Sequence, residues 1–190
     1  MNLNYHIIDF FSKEELECIK LFAKTKLFPL VKLKMLDRSK PYNGFTYVNL
    51  SENFRTDVNW LLEKYPELDA SLAVLTLKPG QGLECHLDKR NIAVNFPVTG
   101  CTSESPTIFY GELNKYEHYF KELYQVYFLK EGVIPIEEDR AVLSDFPMIL
   151  DVKRWHSISN NGAEDRVILS WNFKKDITYK EAVEVFSKRR

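Results

Sequence analysis

An excess of charge of either sign is missing from this sequence, as are long apolar runs and an ordered set of cysteines. Its 26 Lys and Arg against 27 Asp and Glu leave a formal net charge of −1. That balance gives no sign of a nucleic-acid or anionic-membrane binder, and the terminal Lys-Arg-Arg is too short to change it. Cys18, Cys85 and Cys101 are odd in number and have neither zinc nor redox spacing. They fit a reducing compartment, so a cytoplasmic location is expected. No apolar run reaches transmembrane length. The opening MNLNYHIIDFFSKEEL lacks the basic region and long apolar stretch of a signal peptide.

What is present is ordinary globular material. A chain of 190 residues with 45% apolar and 28% charged residues suits one domain, 1–190, with a real core. Ser12-Lys-Glu-Glu15 has the form of a capping box, and Leu16, Ile19, Leu21, Phe22 and Ala23 predict an amphipathic helix ending near Thr25. A second helix is expected over 55–64, where Val58, Leu61 and Leu62 share a side before Pro66. Thr178 and Glu181 repeat the capping logic ahead of Ala182, Val185 and Phe186.

Between the last two helices the texture changes to short apolar or alternating runs: SLAVLTLKP, NIAVNFPV, TIFYG, QVYFL, AVLSDFPMILDV and RVILSWNF. Gly, Pro, Asn and acidic residues separate them, as in antiparallel strands joined by turns. Strands without helical crossovers, bracketed by helices, predict a mainly β sandwich or jelly roll with helices packed outside. The expected organisation is helical support over 1–71, a jelly-roll core over 72–174 and a C-terminal helix over 175–190. Segment 112–126 is a polar-aromatic insertion, read as a short helix or a flap over one mouth of the barrel.

His86-Leu87-Asp88 stands in what otherwise reads as a strand. Side chains two apart in a strand share a face, and an unpaired buried carboxylate is costly. A bound metal is one reason for such a pair; a plain His–Asp hydrogen bond is the bland alternative. The later stretch PMILDVKRWHSISNNGAEDRVILSWNF adds His156 after an apolar strand and then a final strand beginning with Arg166. Two histidines and one carboxylate with open coordination positions are the ligand set of non-haem Fe(II) oxygenases. Three ligands on one face of an octahedron leave room for co-substrate and oxygen, which a fully ligated structural site would not. A guanidinium at the pocket base can grip a carboxylate through two parallel hydrogen bonds.

His86-x-Asp88, His156 and Arg166 ten residues further on resemble the Fe(II)- and 2-oxoglutarate-dependent oxygenase superfamily. HLDKRNIAVNFPVTGC and RWHSISNNGAEDRVILSWNF are most similar to its aspartyl/asparaginyl β-hydroxylase-like and small phage or bacterial hydroxylase-like members. The resemblance spans roughly residues 72–174, and IIDFFSKEEL is similar to the superfamily's entry helix. It implies a cupin-like double-stranded β-helix. It further implies Fe(II) held by His86, Asp88 and His156, and 2-oxoglutarate held by Arg166, with Asn95 as a second contact. The implied activity is a dioxygenase that hydroxylates an aliphatic carbon of a peptide, amino acid or small metabolite and releases succinate and CO2. Aspartyl/asparaginyl β-hydroxylases proper can lack the carboxylate ligand, which here is Asp88. Residue 168 is Ile, so a second side-chain clamp of the kind some relatives carry there must come from elsewhere.

Each candidate has a plainer explanation. Glu84 shares a strand face with His86 and is the most serious rival to Asp88; Asp145 and Asp151 lie two residues from no histidine. His118 and His6 read as packing or edge residues, and Trp155 and Trp171 as core. Arg154 reads as solvated; Arg90 is either solvated or a greeter of anionic substrate. Arg166 taken alone would be a surface ion pair with Asp165 or Glu164. The competing functions are a non-catalytic cupin-like binding module and an iron dioxygenase that needs no 2-oxoglutarate.

Overall fold

The computed structural model describes residues 4–29, 45–49, 54–113, 118–121 and 126–188. In chain order it contains β1 (Tyr5–Ile7), α1 (Lys13–Phe22), β2 (Phe45–Asn49), α2 (Arg55–Lys64), β3 (Leu68–Leu77), β4 (Gly82–Asp88), β5 (Ile92–Thr99) and β6 (Thr107–Tyr110). These are followed by β7 (His118–Lys121), β8 (Val126–Leu129), β9 (Glu137–Ala141), β10 (Met148–Asp151), β11 (His156–Ser159), β12 (Arg166–Phe173) and α3 (Tyr179–Ser187).

The strands form two antiparallel sheets, ordered β1-β10-β5-β12-β3-β2 and β7-β8-β4-β11-β6-β9. From β3 to β6 and again from β9 to β12, the chain crosses from one sheet to the other at every step. That alternation folds the middle of the chain into a jelly roll, as the run of short strands predicted.

Two apolar layers hold it. The outer face of the first sheet, with Val74, Val94, Phe96, Leu169 and Trp171, packs on Leu16, Ile19 and Phe22 of α1, Leu61 of α2 and Phe186 of α3. Between the sheets lies a second cluster, with Leu75, Met148 and Ile168 facing Phe109 and Ile158. The central strands β5 and β12 are therefore buried on both faces over most of their length, and they read as nearly continuous apolar runs.

Both capping boxes form. Ser12 Oγ accepts from the Glu15 amide at 3.2 Å, and Glu15 Oε2 accepts from the Ser12 amide at 2.9 Å. Thr178 and Glu181 repeat the exchange at 3.3 and 2.7 Å. Each pair satisfies two amides that a helix start leaves without partners. α1 stops at Phe22 and continues as a π-helical turn over Ala23–Leu27, so the regular helix ends short of Thr25. Leu21, expected on the apolar side, is 62% exposed.

The strands that sequence patterning missed are β1, β2, β7 and β9, each the outermost among the described strands of its sheet, and the inner strand β11, whose HSIS read as a polar turn after an apolar strand. Edge strands face water along one side and need no apolar alternation; the sequence of β9, EEDRA, is an example. The run AVLSDFPMILDV divides: Ala141 closes β9, and β10 starts only at Met148. Within the insertion 112–126, residues 118–121 form strand β7 rather than a helix, while 114–117 and 122–125 lie outside the described residues. No helix among the described residues is long and apolar enough to cross a membrane.

Candidate metal centre

β4 and β11 are antiparallel neighbours, and their register sets His156 directly opposite His86. The register then shifts: two steps along β11, His156 to Ile158, match three along β4, His86 to Leu83, so β4 carries an extra residue just before His86; such bulges re-aim side chains. Asp88 ends β4, its amide donating to the Val152 carbonyl at 3.0 Å, which ties the strand end to the chain leaving β10. One ligand atom from each of His86, Asp88 and His156 lies within 4.8 Å of the others. The two imidazole centroids are 4.2 Å apart.

The imidazoles are oriented alike. Nδ1 of His86 meets the Glu84 carbonyl at 2.8 Å, and Nδ1 of His156 meets the Arg154 carbonyl at 2.9 Å. A carbonyl can only accept, so each Nδ1 carries a proton and leaves Nε2 as the nitrogen available to a metal, the arrangement found in metal-ligating histidines. His86 Nε2 lies 3.5 Å from Asp88 Oδ1. Burial, then the neighbouring His86, lower the His156 pKa to about 3, so its imidazole is neutral at physiological pH. Burial by itself would raise the Asp88 pKa. The Arg90 guanidinium beside it leads the interactions that outweigh burial and hold the carboxyl well below the usual range. The donor set is thus two imidazoles, each with its Nδ1 spent on a backbone carbonyl, and a carboxylate in a largely buried cluster, and it fits a divalent metal with open positions.

Glu84, the rival carboxylate, is exposed and contributes only its backbone carbonyl. Asp145 is also exposed, and Asp151 is not in the cluster. His118 packs its ring 5.3 Å from Trp155 and 5.4 Å from Tyr127. His6 sits in edge strand β1. Trp155 and Trp171 are buried. Arg154 pairs with Glu138 at 2.6 Å.

Arg166 opens β12 and is 1% exposed. Its contact with a facing side chain is long, from Nη2 to Thr107 Oγ1 at 3.4 Å, and Nε and Nη1 have no partner. Glu164 and Asp165 are exposed, and no ion pair among the described residues reaches Arg166. Gly100 fixes where β12 begins. It has φ +61°, and a Cβ there would lie 2.4 Å from the Asp165 carbonyl oxygen, so only glycine lets the two backbones approach so closely. Asn95 is 4% exposed, sits opposite Ser170 of β12, and leaves its Oδ1 without a partner.

Sequence reasoning passed over Thr107 and read Arg90 without its partners. Thr107 is fully buried on β6, two residues before Phe109, which lies opposite His156. The alternating burial of TIFY was the available signal. Arg90 spends its guanidinium on Asp88, Ser170 and Asn172, which nothing local to its own turn foretells.

No family model matches the sequence, and no curated protein does. Among solved structures, the chain is similar to SnoK, a non-haem α-ketoglutarate-dependent carbocyclase from nogalamycin biosynthesis. The TM-score is 0.55 at 11% identity, over 90% of this chain and 79% of that one. The fold is the double-stranded β-helix. More distant matches are a 2OG-Fe(II) oxygenase-family oxidoreductase from Burkholderia pseudomallei (TM-score 0.49, 11% identity, 94% and 88% of the two chains) and a Pseudomonas putida prolyl-4-hydroxylase (0.42, 10%, 90% and 91%). At 11% identity the likeness to SnoK speaks for the double-stranded β-helix alone, a scaffold that hosts many chemistries.

Proposed function

We propose that this protein is a non-haem Fe(II)- and 2-oxoglutarate-dependent dioxygenase that hydroxylates an aliphatic carbon of a peptide, amino acid or small metabolite. The observation that carries the reading is Arg166: a buried guanidinium, two of its nitrogens unpartnered, beside a His-Asp-His cluster. Burying an unpaired charge costs several kcal/mol, and an anionic ligand removes that cost. Thr107 and Phe109 are two apart on β6, which separates the arginine contact from the His156 row by roughly 7 Å at about 3.3 Å per residue. A five-carbon keto-dicarboxylate suits that interval, one end at the metal and the other at Arg166.

In this reading His86 Nε2, His156 Nε2 and Asp88 Oδ1 hold the metal. Arg166 grips the distal carboxylate through two parallel hydrogen bonds, and the Thr107 hydroxyl is free to donate a third, taking the place of the clamp absent at Ile168. Asn95 faces the same interior and offers its amide to the co-substrate. Bound there, iron and 2-oxoglutarate supply the oxidative chemistry, coupling O2 reduction to formation of succinate and CO2. The chain itself keeps His156 neutral, keeps Asp88 ionised and excludes bulk water with Phe109 and Phe128, which lie across from His156 and His86. The link to aspartyl/asparaginyl β-hydroxylase-like members rests on the sequence motifs, and the free cysteines favour the cytoplasm.

Calorimetry on metal-loaded protein tests this. Wild type should bind 2-oxoglutarate and release some succinate with Fe(II) and O2 even without its true substrate. Hydrogen bonds to charged groups contribute roughly 1.5–3 kcal/mol, so Arg166→Ala should weaken 2-oxoglutarate binding ten- to a hundredfold. Arg166→Lys should also bind worse than wild type, because it keeps the charge and loses the fork. Metal affinity should change far less in both. Absence of 2-oxoglutarate binding would leave the cupin-like module or the iron dioxygenase without 2-oxoglutarate in its place.

A further inference from the structure

Arg90 lies two residues past Asp88 in the turn that carries the chain from β4 in one sheet to β5 in the other. Its Nε donates to Asp88 Oδ2 at 2.9 Å, its Nη2 to Ser170 Oγ at 3.2 Å, and its Nη1 to Asn172 Oδ1. Asp88 belongs to the sheet of β4, whereas Ser170 and Asn172 belong to β12 in the opposite sheet. The guanidinium therefore ties the two sheets together at the metal-side carboxylate. Its outer side borders a cleft of about 420 Å³ between this turn and the end of β12, yet the side chain is only 26% exposed.

The two carboxylate oxygens of Asp88 are consequently not equivalent. Oδ2 is taken by Arg90, while Oδ1 faces the imidazoles, 3.5 Å from His86 Nε2. A carboxylate free to rotate could offer both oxygens to a metal or swing out of the cluster. One locked by a guanidinium that is itself fixed at two further points can do neither. We infer that Arg90 is a positioning residue that holds Asp88 as a one-oxygen ligand, presenting Oδ1 to the metal and withdrawing Oδ2. This rests on the metal reading above. Arg90 is then not a free cation awaiting an anionic substrate, because Asp88, Ser170 and Asn172 engage it on three sides.

The test uses Co(II), whose visible absorption reports coordination, on the full chain without 2-oxoglutarate or O2. Loss of a group that orients a metal ligand typically weakens metal binding about ten- to a hundredfold. Arg90→Met should fall in that range and show an altered Co(II) spectrum. Arg90→Lys should recover only part of the loss, since an ammonium cannot reach Asp88, Ser170 and Asn172 as a planar fork does. Ser170→Ala and Asn172→Ala loosen the anchor without removing the charge. They should shift affinity and spectrum the same way by less, and they decide the matter if Arg90→Met does not fold. Wild-type affinity and spectrum in Arg90→Met, or in both anchor variants should that protein be unobtainable, overturn the inference. Asp88→Ala separates the two levels. Co(II) bound as tightly by Asp88→Ala as by wild type would sink the metal reading itself, whereas loss there with no effect at Arg90 sinks only the positioning role.

Discussion

The two faces of one sheet have been put to opposite uses. Along β12, Val167, Leu169 and Trp171 point outward into the layer beneath the helices, while Arg166, Ile168, Ser170 and Asn172 alternate with them toward the barrel interior. β5 repeats the pattern, with Ile92, Val94, Phe96 and Val98 outward against Ala93 and Asn95 inward. The outer layer is rich in aromatic pairs: Phe96 meets Trp171 edge-on at 5.0 Å, and Phe10 stacks on Phe186 at 5.7 Å. The interior is buried to the same degree but holds two imidazoles, an unpaired guanidinium and an amide oxygen with no partner. Buried polar groups of that kind cost stability unless they are satisfied. The outer face offsets that cost by hydrophobic burial, and the period of two along a strand keeps the two roles on separate faces.

The largest expected effect sharpens the contrast from the outer side. Phe186 of α3 is 1% exposed and packs against Phe10, Tyr65 and Phe173. Phe186→Ala should destabilise by about 3–5 kcal/mol in urea denaturation, while the folded protein keeps wild-type Co(II) affinity. A matching drop in metal affinity would break the separation of faces.

The next effect probes the interior through pH. Burial and His86 push His156 down to about 3, against an ordinary histidine value near 6.5. Between those values the unfolded chain binds more protons than the folded one, so metal-free stability must fall as pH drops below ~6.5. From pH 7 to pH 5 the loss should be about 2 kcal/mol, read as a lower urea midpoint. His156→Gln should flatten that slope. A wild-type profile that is level over this interval would contradict the buried, neutral imidazole.

The smallest effect is a null on the solvent side of β4. Glu84→Ala removes an exposed carboxylate and leaves the backbone carbonyl that orients His86. Co(II) affinity should be unchanged by titration, whereas a tenfold loss would return Glu84 to the ligand set.

Legibility in the sequence followed burial and range. The capping boxes at Ser12 and Thr178 were readable because a cap is a contract among four consecutive residues. β3, β5 and β12 were readable because central strands carry β-branched and apolar residues on both faces. The edge strands β1, β2, β7 and β9 were not, since neighbouring strands rather than local pattern hold them, and neither was the inner strand β11, a four-residue HSIS with no apolar run. His-x-Asp was legible as a same-face pair on one strand, and the order of His156 and Arg166 behind it singled those residues out as well.

The chain alone therefore determined the chemical vocabulary: two imidazoles, a carboxylate and a guanidinium, placed on strands whose faces alternate by covalent geometry. Tertiary structure alone decided which of them meet. His156 faces His86 through a register between strands 70 residues apart, and Arg166 reaches Thr107 across the gap between two sheets. Arg90 finds Ser170 and Asn172 some 80 residues away. Such contacts are set by strand register, in which a one-residue slip would turn every side chain to the other face. Register is fixed by the summed packing of the whole sandwich, and no short stretch of sequence contains that sum.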